Sequence, residues 1–370
     1  MEFTIDRADL IQGLGLAQGV VERRNTMPIL ANVLLQAQGD SLSISATDLE
    51  VHVKRTTSVS VKTDGSATVG ARKLFELIRE LGPGEVTIRS LDNDFIEVTS
   101  KRSKVKLVGL APADFPTFPQ GSGKDATTIE LAVEALQVAI DRTLFAVSTD
   151  DTRAHLGGVL LTPQGKGFRF VGTDGHRLAL ADLETGGSSG SVDKGIILPR
   201  KGLSELRKLL DEAEGTASIG LLGNAIRVDQ GNVELVMRLV DGEFPNYEQV
   251  VPDSTAISVG VEKAELFAAL RRVSVVASDR ARGVRIGLKK GQMTVSASSP
   301  DFGEASEELE IDYKGKDVEV GFNARYLTDV LGVLPEDRRV VVGLTDETSA
   351  GVISTEDDDS YRYVVMPMRL

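Results

Sequence analysis

An internal threefold repeat limits what this chain can fold into more than any other feature. Leu74, Leu77, Ile78 and Leu81 recur at i, i+3, i+4 and i+7, the spacing of one apolar face of an α-helix. Leu327, Val330, Leu331 and Leu334 repeat that spacing, and Leu203, Leu206 and Leu210 repeat it with Arg207 at the missing position. Each follows a short extended stretch and a basic residue, in 69–73, 198–202 and 322–326. The offsets from Leu74 to Leu203 to Leu327 are 129 and 124 residues. A second helix type opens each copy, on Leu10, Leu14 and Ala17, then Val133, Leu136 and Ile140, then Leu266, Leu270 and Val273. In the first copy Gly13, Gly15 and Gly19 each lower helix propensity by about 1 kcal/mol. Alternating runs at 42–48, 168–174 and 293–297 predict strands. The copies also close alike, on Asp114-Phe115-Pro116, Glu243-Phe244-Pro245 and Met366-Pro367-Met368.

The spacing therefore predicts an α+β chain of three tandem repeats, each with two helices among short antiparallel strands. The expected domains are 1–121, 126–252 and 254–370, with linkers at 119–126 and 252–256. Helices are expected over 7–24, 71–82, 133–147, 200–214, 262–285 and 323–338. An amphipathic helix must bury one stripe, so each pair should cover one face of a sheet. Three such units in series would make a crescent, and two crescents could close into a symmetric ring with no free interface.

Composition removes whole classes of chemistry. With no Cys there are no disulfides, thiolate metal sites or cysteine nucleophiles, and three His leave little for a histidine metal site. No metal or cofactor is expected. No run approaches the roughly 20 apolar residues of a bilayer span. The first ten residues carry Glu2, Asp6, Arg7 and Asp9 where a signal peptide needs an apolar core, so a cytoplasmic chain without a membrane partner is expected. The net charge is −13, but unevenly spread: the six expected helices sum to +3, leaving −16 elsewhere. Such a chain can present two electrically different faces.

Eight segments, in order and spread over the whole length, carry a family resemblance. They are 27–32 (MPILAN), 47–50 (TDLE), 113–116 (ADFP), 173–178 (TDGHRL), 199–202 (PRKG), 240–245 (VDGEFP), 282–285 (RGVR) and the terminal 363–370 (YVVMPMRL). Together they closely resemble the bacterial DNA polymerase III beta subunits, the sliding clamps. The resemblance implies three clamp domains per chain and a head-to-tail homodimeric ring of six-fold pseudo-symmetry, with helices inside and sheets outside. It implies a non-enzymatic processivity factor that encircles double-stranded DNA without regard to sequence. The implied partners are the DNA polymerase III alpha subunit, the clamp loader, and other DNA polymerases and repair proteins carrying clamp-binding motifs.

Candidate DNA contacts are Arg24, Arg79, Arg153, Arg200 and Lys201, near the ends of inner helices, because Lys and Arg contacts to phosphate are sequence-independent. Arg24 matches the family's DNA-contacting arginine. The partner-peptide pocket carried over by the resemblance comprises Leu156, Thr173, Gly175, His176, Arg177, Leu178, Pro245, Val250, Asn323, Tyr326, Met366, Pro367, Met368 and Leu370. Its methionines are adaptable enough to accept several partners. The implied dimer seam sets Val105 and Leu107 against Val275 and Val276, with Lys73 near Glu304, Glu307 or Glu308. Gln249 stands where the family commonly carries a basic residue, and Ala154 and His155 stand where other members carry tyrosines that touch DNA.

Two other readings compete. Gly13, Gly15 and Gly19 outline a glycine turn that an NAD(P)-binding enzyme could use, although the spacing is GxGxxxG rather than GxGxxG. A peptide-binding scaffold that never encircles DNA would need only the pocket. Asp301-Phe302-Gly303 lacks the catalytic loop of a kinase, His176 beside Asp174 lacks a nucleophile motif, and 357–359 read as a solvated hairpin tip.

Overall fold

A computed structural model describes residues 1–22, 27–117, 128–185, 195–278 and 282–370. Six α-helices lie among them: α1 (Arg7–Val20), α2 (Ala71–Glu80), α3 (Val133–Leu144), α4 (Arg200–Leu210), α5 (Lys263–Val273) and α6 (Ala324–Val333). Four start at the expected residue, α5 and α6 start one residue later, and all end earlier. α1 stops at Val20 because Val21 turns extended, and α6 stops at Val333, two residues before Pro335. The largest departure is at 262–285. α5 ends at Val273, a 3₁₀ turn follows at Ser274–Val276, and Gly283–Lys289 is a strand with Val284, Ile286 and Leu288 buried at period two.

The expected helix faces are the buried ones. Leu74 and Ile78, Leu203, Leu206 and Leu210, and Leu327, Val330 and Leu331 are all in the core. So are Leu10, Leu14 and Ala17, Val133, Leu136 and Ile140, and Leu266, Leu270 and Val273. The glycine run lies within α1, so no strand-to-helix phosphate turn forms there. A Cβ on Gly13 would lie 2.6 Å from Ile44 Cδ1, and one on Gly19 would collide with the Glu205 carboxylate.

Among the described residues the strands form four antiparallel sheets. They belong to two units, each built around its own core: Met1–Glu134 with Lys201–Leu239, and Ala135–Arg200 with Val240–Leu370. In the first unit, one sheet runs Ser60–Thr63, Glu2–Asp6, Glu85–Ser90, Phe95–Ser100, Ser103–Val108. The other has eight strands, in which Thr128–Ala132, Thr216–Leu222, Ala225–Gln230 and Val233–Arg238 of repeat two continue into Val51–Ser58, Ser41–Thr47, Asn32–Gln38 and Gly65–Gly70 of repeat one. Its junction pairs Met237 with Val51 and Val236 with His52. In the second unit the same join pairs Val365 with Arg177, linking Ile196–Pro199, Gly158–Gln164, Gly167–Thr173 and Arg177–Glu184 to Asp358–Val365, Gly351–Thr355, Arg339–Leu344 and Ile257–Glu262. Its last sheet runs Gly303–Glu310, Gln292–Ser299, Gly283–Lys289, Val318–Asn323. Two edges therefore lack the neighbour that their counterparts have: Ser103–Val108 and Gly303–Glu310.

Candidate functional site

The pocket is built on a turn that the chain makes twice. Thr173 Oγ1 donates to the Arg177 carbonyl (2.6 Å) and accepts from Gly175 N (3.1 Å), while Asp174 Oδ1 accepts from His176 N (2.9 Å) and Arg177 N (3.1 Å). In repeat one Thr47 and Asp48 hold Leu49, Glu50 and Val51 through the same set of bonds. The third turn residue is left-handed in both, φ 88° at Gly175 and 80° at Leu49. Glycine adopts that conformation freely, whereas leucine is strained in it.

Around the second turn lies a cavity of about 140 Å³. Leu156, Thr173, Gly175, His176, Arg177, Leu178, Pro245, Val250 and Met366 line it, nine of the fourteen residues expected there. Asn246, Tyr247 and Val364 line it too, and sequence reasoning missed them. Their signal was available: Asn246 and Tyr247 directly follow Pro245, and Val364 alternates with Val365 on the terminal strand. The remaining five expected residues lie alongside. Tyr326 sits under the Arg177 guanidinium, 4.6 Å from ring centroid to Cζ. Asn323 caps α6, its Oδ1 accepting from Arg325 N at 2.9 Å. Beyond Met366 the chain continues through Pro367, Met368 N donates to the Gly321 carbonyl (2.8 Å), and Leu370 packs on Gly283 and Gly321. Val250, Met366 and Leu370 are 46%, 46% and 48% exposed, apolar surface that a peptide could cover.

Arg177 is the charged member of this wall, with its side chain 7% exposed. Burial works against its charge, but the Asp329 hydrogen bond and the fields of Asp174 and Asp329 leave its pKa above the ordinary arginine value. Burial, with the Asp174 charge, raises the Tyr326 phenol, so it stays a neutral donor.

Of the five basic candidates, Arg24 lies outside the described residues. Arg79 is exposed near the end of α2, its guanidinium 5.6 Å over the Phe75 ring. Arg200 opens α4 with an exposed side chain. Arg153 and Lys201 bond to groups of the protein. Arg153 donates to the Asp174 carbonyl (2.9 Å) and to Asp150 (3.2 Å), which ties it to the pocket turn. Lys201 bonds the Val20 carbonyl (3.1 Å), Glu22 (3.2 Å) and the Asp48 carboxylate. Counted on the observed helices, the charge contrast sharpens: they carry +5, of which α4 holds +3, against −18 for the rest.

At the expected seam, Val105 and Leu107 are half-buried on the Ser103–Val108 edge. Glu304 is exposed on the Gly303–Glu310 edge. Beside that edge the Ser274–Val276 turn leaves Val275 77% exposed and Val276 half-buried. Lys73 pairs within its own helix with Glu76 (3.0 Å), and the Glu307 carboxylate accepts from Nε and Nη2 of Arg272 (2.5 Å each). The expected hairpin tip is shorter than 357–359, because Asp358 starts a strand and bonds Arg142 at 2.7 Å. Among the described residues, no helix is long and apolar enough to cross a membrane.

Comparison with known proteins covers the same three repeats. Sequence models for the N-terminal, central and C-terminal domains of the DNA polymerase III beta subunit match residues 1–119, 130–246 and 248–369. The chain is 39% identical to the beta sliding clamp of Pseudomonas aeruginosa and 35% identical to that of Escherichia coli K12, in each case over the full length of both chains. Among solved structures it superposes on the DNA polymerase III subunit beta of Pseudomonas aeruginosa with a TM-score of 0.93 at 38% identity. On the Bartonella birtlesii sliding clamp bound to griselimycin the TM-score is 0.94 at 35% identity, and both matches cover the whole of each chain. With the repeat, the paired sheets and the full-length matches all in agreement, this chain is a member of the DNA polymerase III beta subunit family.

Proposed function

We propose that the chain acts as a sliding clamp: two copies close head to tail into a ring around duplex DNA, and partner proteins dock by short peptides in the pocket beside Arg177. The three repeats, 1–121, 126–252 and 254–370, supply its pseudo-equivalent arcs, and the chain itself performs no catalysis. A ring need not grip DNA to stay on it. It needs an inner surface that tolerates phosphate, which neutral-to-basic helices supply, and weak, salt-screened contacts permit sliding. Arg24, Arg79, Arg153, Arg200 and Lys201 are the contacts we propose, and Arg153 and Lys201 would exchange protein partners for phosphate. Burial of one Leu and one Phe of a peptide, at roughly 1.5–3 kcal/mol each, offset by ordering costs, fits micromolar, exchangeable docking. A shared tether then raises the effective concentration of each partner.

The observation that carries ring closure is the pair of unmatched edges. Ser103–Val108 presents Lys104 and Lys106; Gly303–Glu310 presents Glu304, Glu308 and Glu310. Both counterpart edges within the chain are already joined antiparallel to the next repeat. A second copy can satisfy both at once, and closure removes two exposed strand edges that would otherwise invite aggregation. The test is topological. Protein loaded onto nicked circular DNA by a clamp loader should stay bound through gel filtration and fall off when the circle is linearised. Retention on linear DNA with free ends would overturn encirclement, and no retention on the circle at all would favour a scaffold that binds peptides only.

A further inference from the structure

The residue that fixes the pocket wall is itself fixed from outside the pocket. Arg177 Nε donates to Asp174 Oδ2 (3.0 Å), Nη2 to the Phe145 carbonyl (2.7 Å) and Nη1 to Asp329 Oδ2 (2.6 Å). Its guanidinium lies 5.4 Å over the Phe145 ring and 4.6 Å over that of Tyr326. Asp174 belongs to the pocket turn. Asp329 does not: it sits on α6 and is absent from the cavity lining. Its carboxylate is shared, because Arg325 Nε lies 3.8 Å from the same Oδ2.

We propose that Asp329 is a positioning residue for peptide binding, holding Arg177 and through it the 173–178 turn in the receptive geometry. This rests on reading the cavity as the peptide site. Asp174 spends Oδ1 on the turn's own amides and Oδ2 on Arg177. It cannot also satisfy Nη1, so a guanidinium this buried needs the second carboxylate. Without that charge Arg177 gains by swinging toward water, which withdraws the group that Asp174 Oδ2 anchors and loosens the wall between Thr173 and Leu178. A loosened wall must be ordered again on binding, and that cost appears as lost affinity. Arg325, 62% exposed, contributes little to the arrangement.

The test uses full-length protein and griselimycin as the probe, followed by titration calorimetry. Asp329→Asn, which preserves shape and removes charge, should weaken binding about tenfold. Asp329→Glu should restore most of it, and Arg325→Ala should leave it unchanged. Hydrogen–deuterium exchange separates positioning from a general structural role: exchange should rise at 173–178 in Asp329→Asn while α6 stays protected. Wild-type affinity in Asp329→Asn, or increased exchange confined to α6, overturns the proposal. Deletion of 366–370 guards the underlying reading. If that deletion also leaves binding intact, the probe does not use this cavity and the peptide-site reading fails, while the exchange pattern still decides whether Asp329 holds the turn.

Discussion

His52 shows how much one buried side chain can add to the pH response of a large fold. It lies on the Val51–Ser58 strand, 7% exposed, opposite Thr47 on one side and Val236 on the other. Burial, helped by the charge of Lys54, lowers its pKa from 6.5 to about 4. In the unfolded chain the ring takes up a proton near pH 6.5; in the folded chain it stays neutral until about pH 4. Between those values the unfolded state binds more protons, so stability is fully present above pH 6.5 and declines as the pH falls through the window. The size of the shift corresponds to about 3 kcal/mol at most. Urea midpoints at pH 7.5 and 4.5 should differ less in His52→Gln than in the wild type. An unchanged difference would assign the acid sensitivity to carboxylates instead. The pocket turn illustrates what a residue-level reading misses. Asp174 and Thr173 were legible as a repeated pair, because Thr47-Asp48 announces the same turn. Asp329 was not, since nothing in the spacing says that a residue on α6 reaches Arg177, 152 positions away.

The helix α1 makes the corresponding point for elements. Three glycines in fourteen residues ought to weaken it, and the structure separates their reasons. Gly13 and Gly19 face neighbours that leave no room for a methyl group, Ile44 and the Glu205 carboxylate. Gly15 is exposed and a Cβ there meets nothing within 4 Å. Gly15→Ala should therefore stabilise the protein by about 0.5–1 kcal/mol, whereas Gly19→Ala should gain less, because it must displace the Glu205 carboxylate. Thermal unfolding of the two variants checks the difference; equal shifts would mean that packing on α4 does not set the Gly19 position. Apolar spacing located all six helices because burial of one stripe leaves a periodic mark. Their ends were read too far because termination is local chemistry: an extended residue after Val20, Pro335 after α6, and the period-two burial of Val284, Ile286 and Leu288. The sheets were legible as strands but not as joins. That repeat two lends strands to both of its neighbours follows from long-range pairing, which alternation cannot express.

At the scale of the assembled molecule, the internal joins define how the missing one should be made. Hairpins Phe95–Ser100/Ser103–Val108 and Ala225–Gln230/Val233–Arg238 pair Ser100 with Ser103 and Gln230 with Val233, so Leu107 occupies the place of Met237. Core pairs facing the first helix of each repeat, Ile44 with Arg55 and Val295 with Glu307, put Gly303 in the place of Val51. Met237 pairs with Val51. The seam should accordingly pair Leu107 with Gly303 of the second copy, Lys106 with Glu304 and Val105 with Ala305. That register sets half-buried Val105 and Ala305 on one face and exposed Lys106 and Glu304 on the other. A one-residue slip would break both matches. Directly opposite charges across a strand pair differ from like charges by about 1 kcal/mol, and a closed ring contains two seams. Lys106→Glu or Glu304→Lys alone should therefore weaken the dimer by about 2 kcal/mol, roughly 30-fold in Kd. The double variant should recover most of the loss, since it exchanges the charges without changing the register. Sedimentation equilibrium over a dilution series measures all four constants. Recovery with Glu308→Lys in place of Glu304→Lys would shift the register by four residues, and a dimer indifferent to every one of these changes would place the contact between copies elsewhere than on these strands.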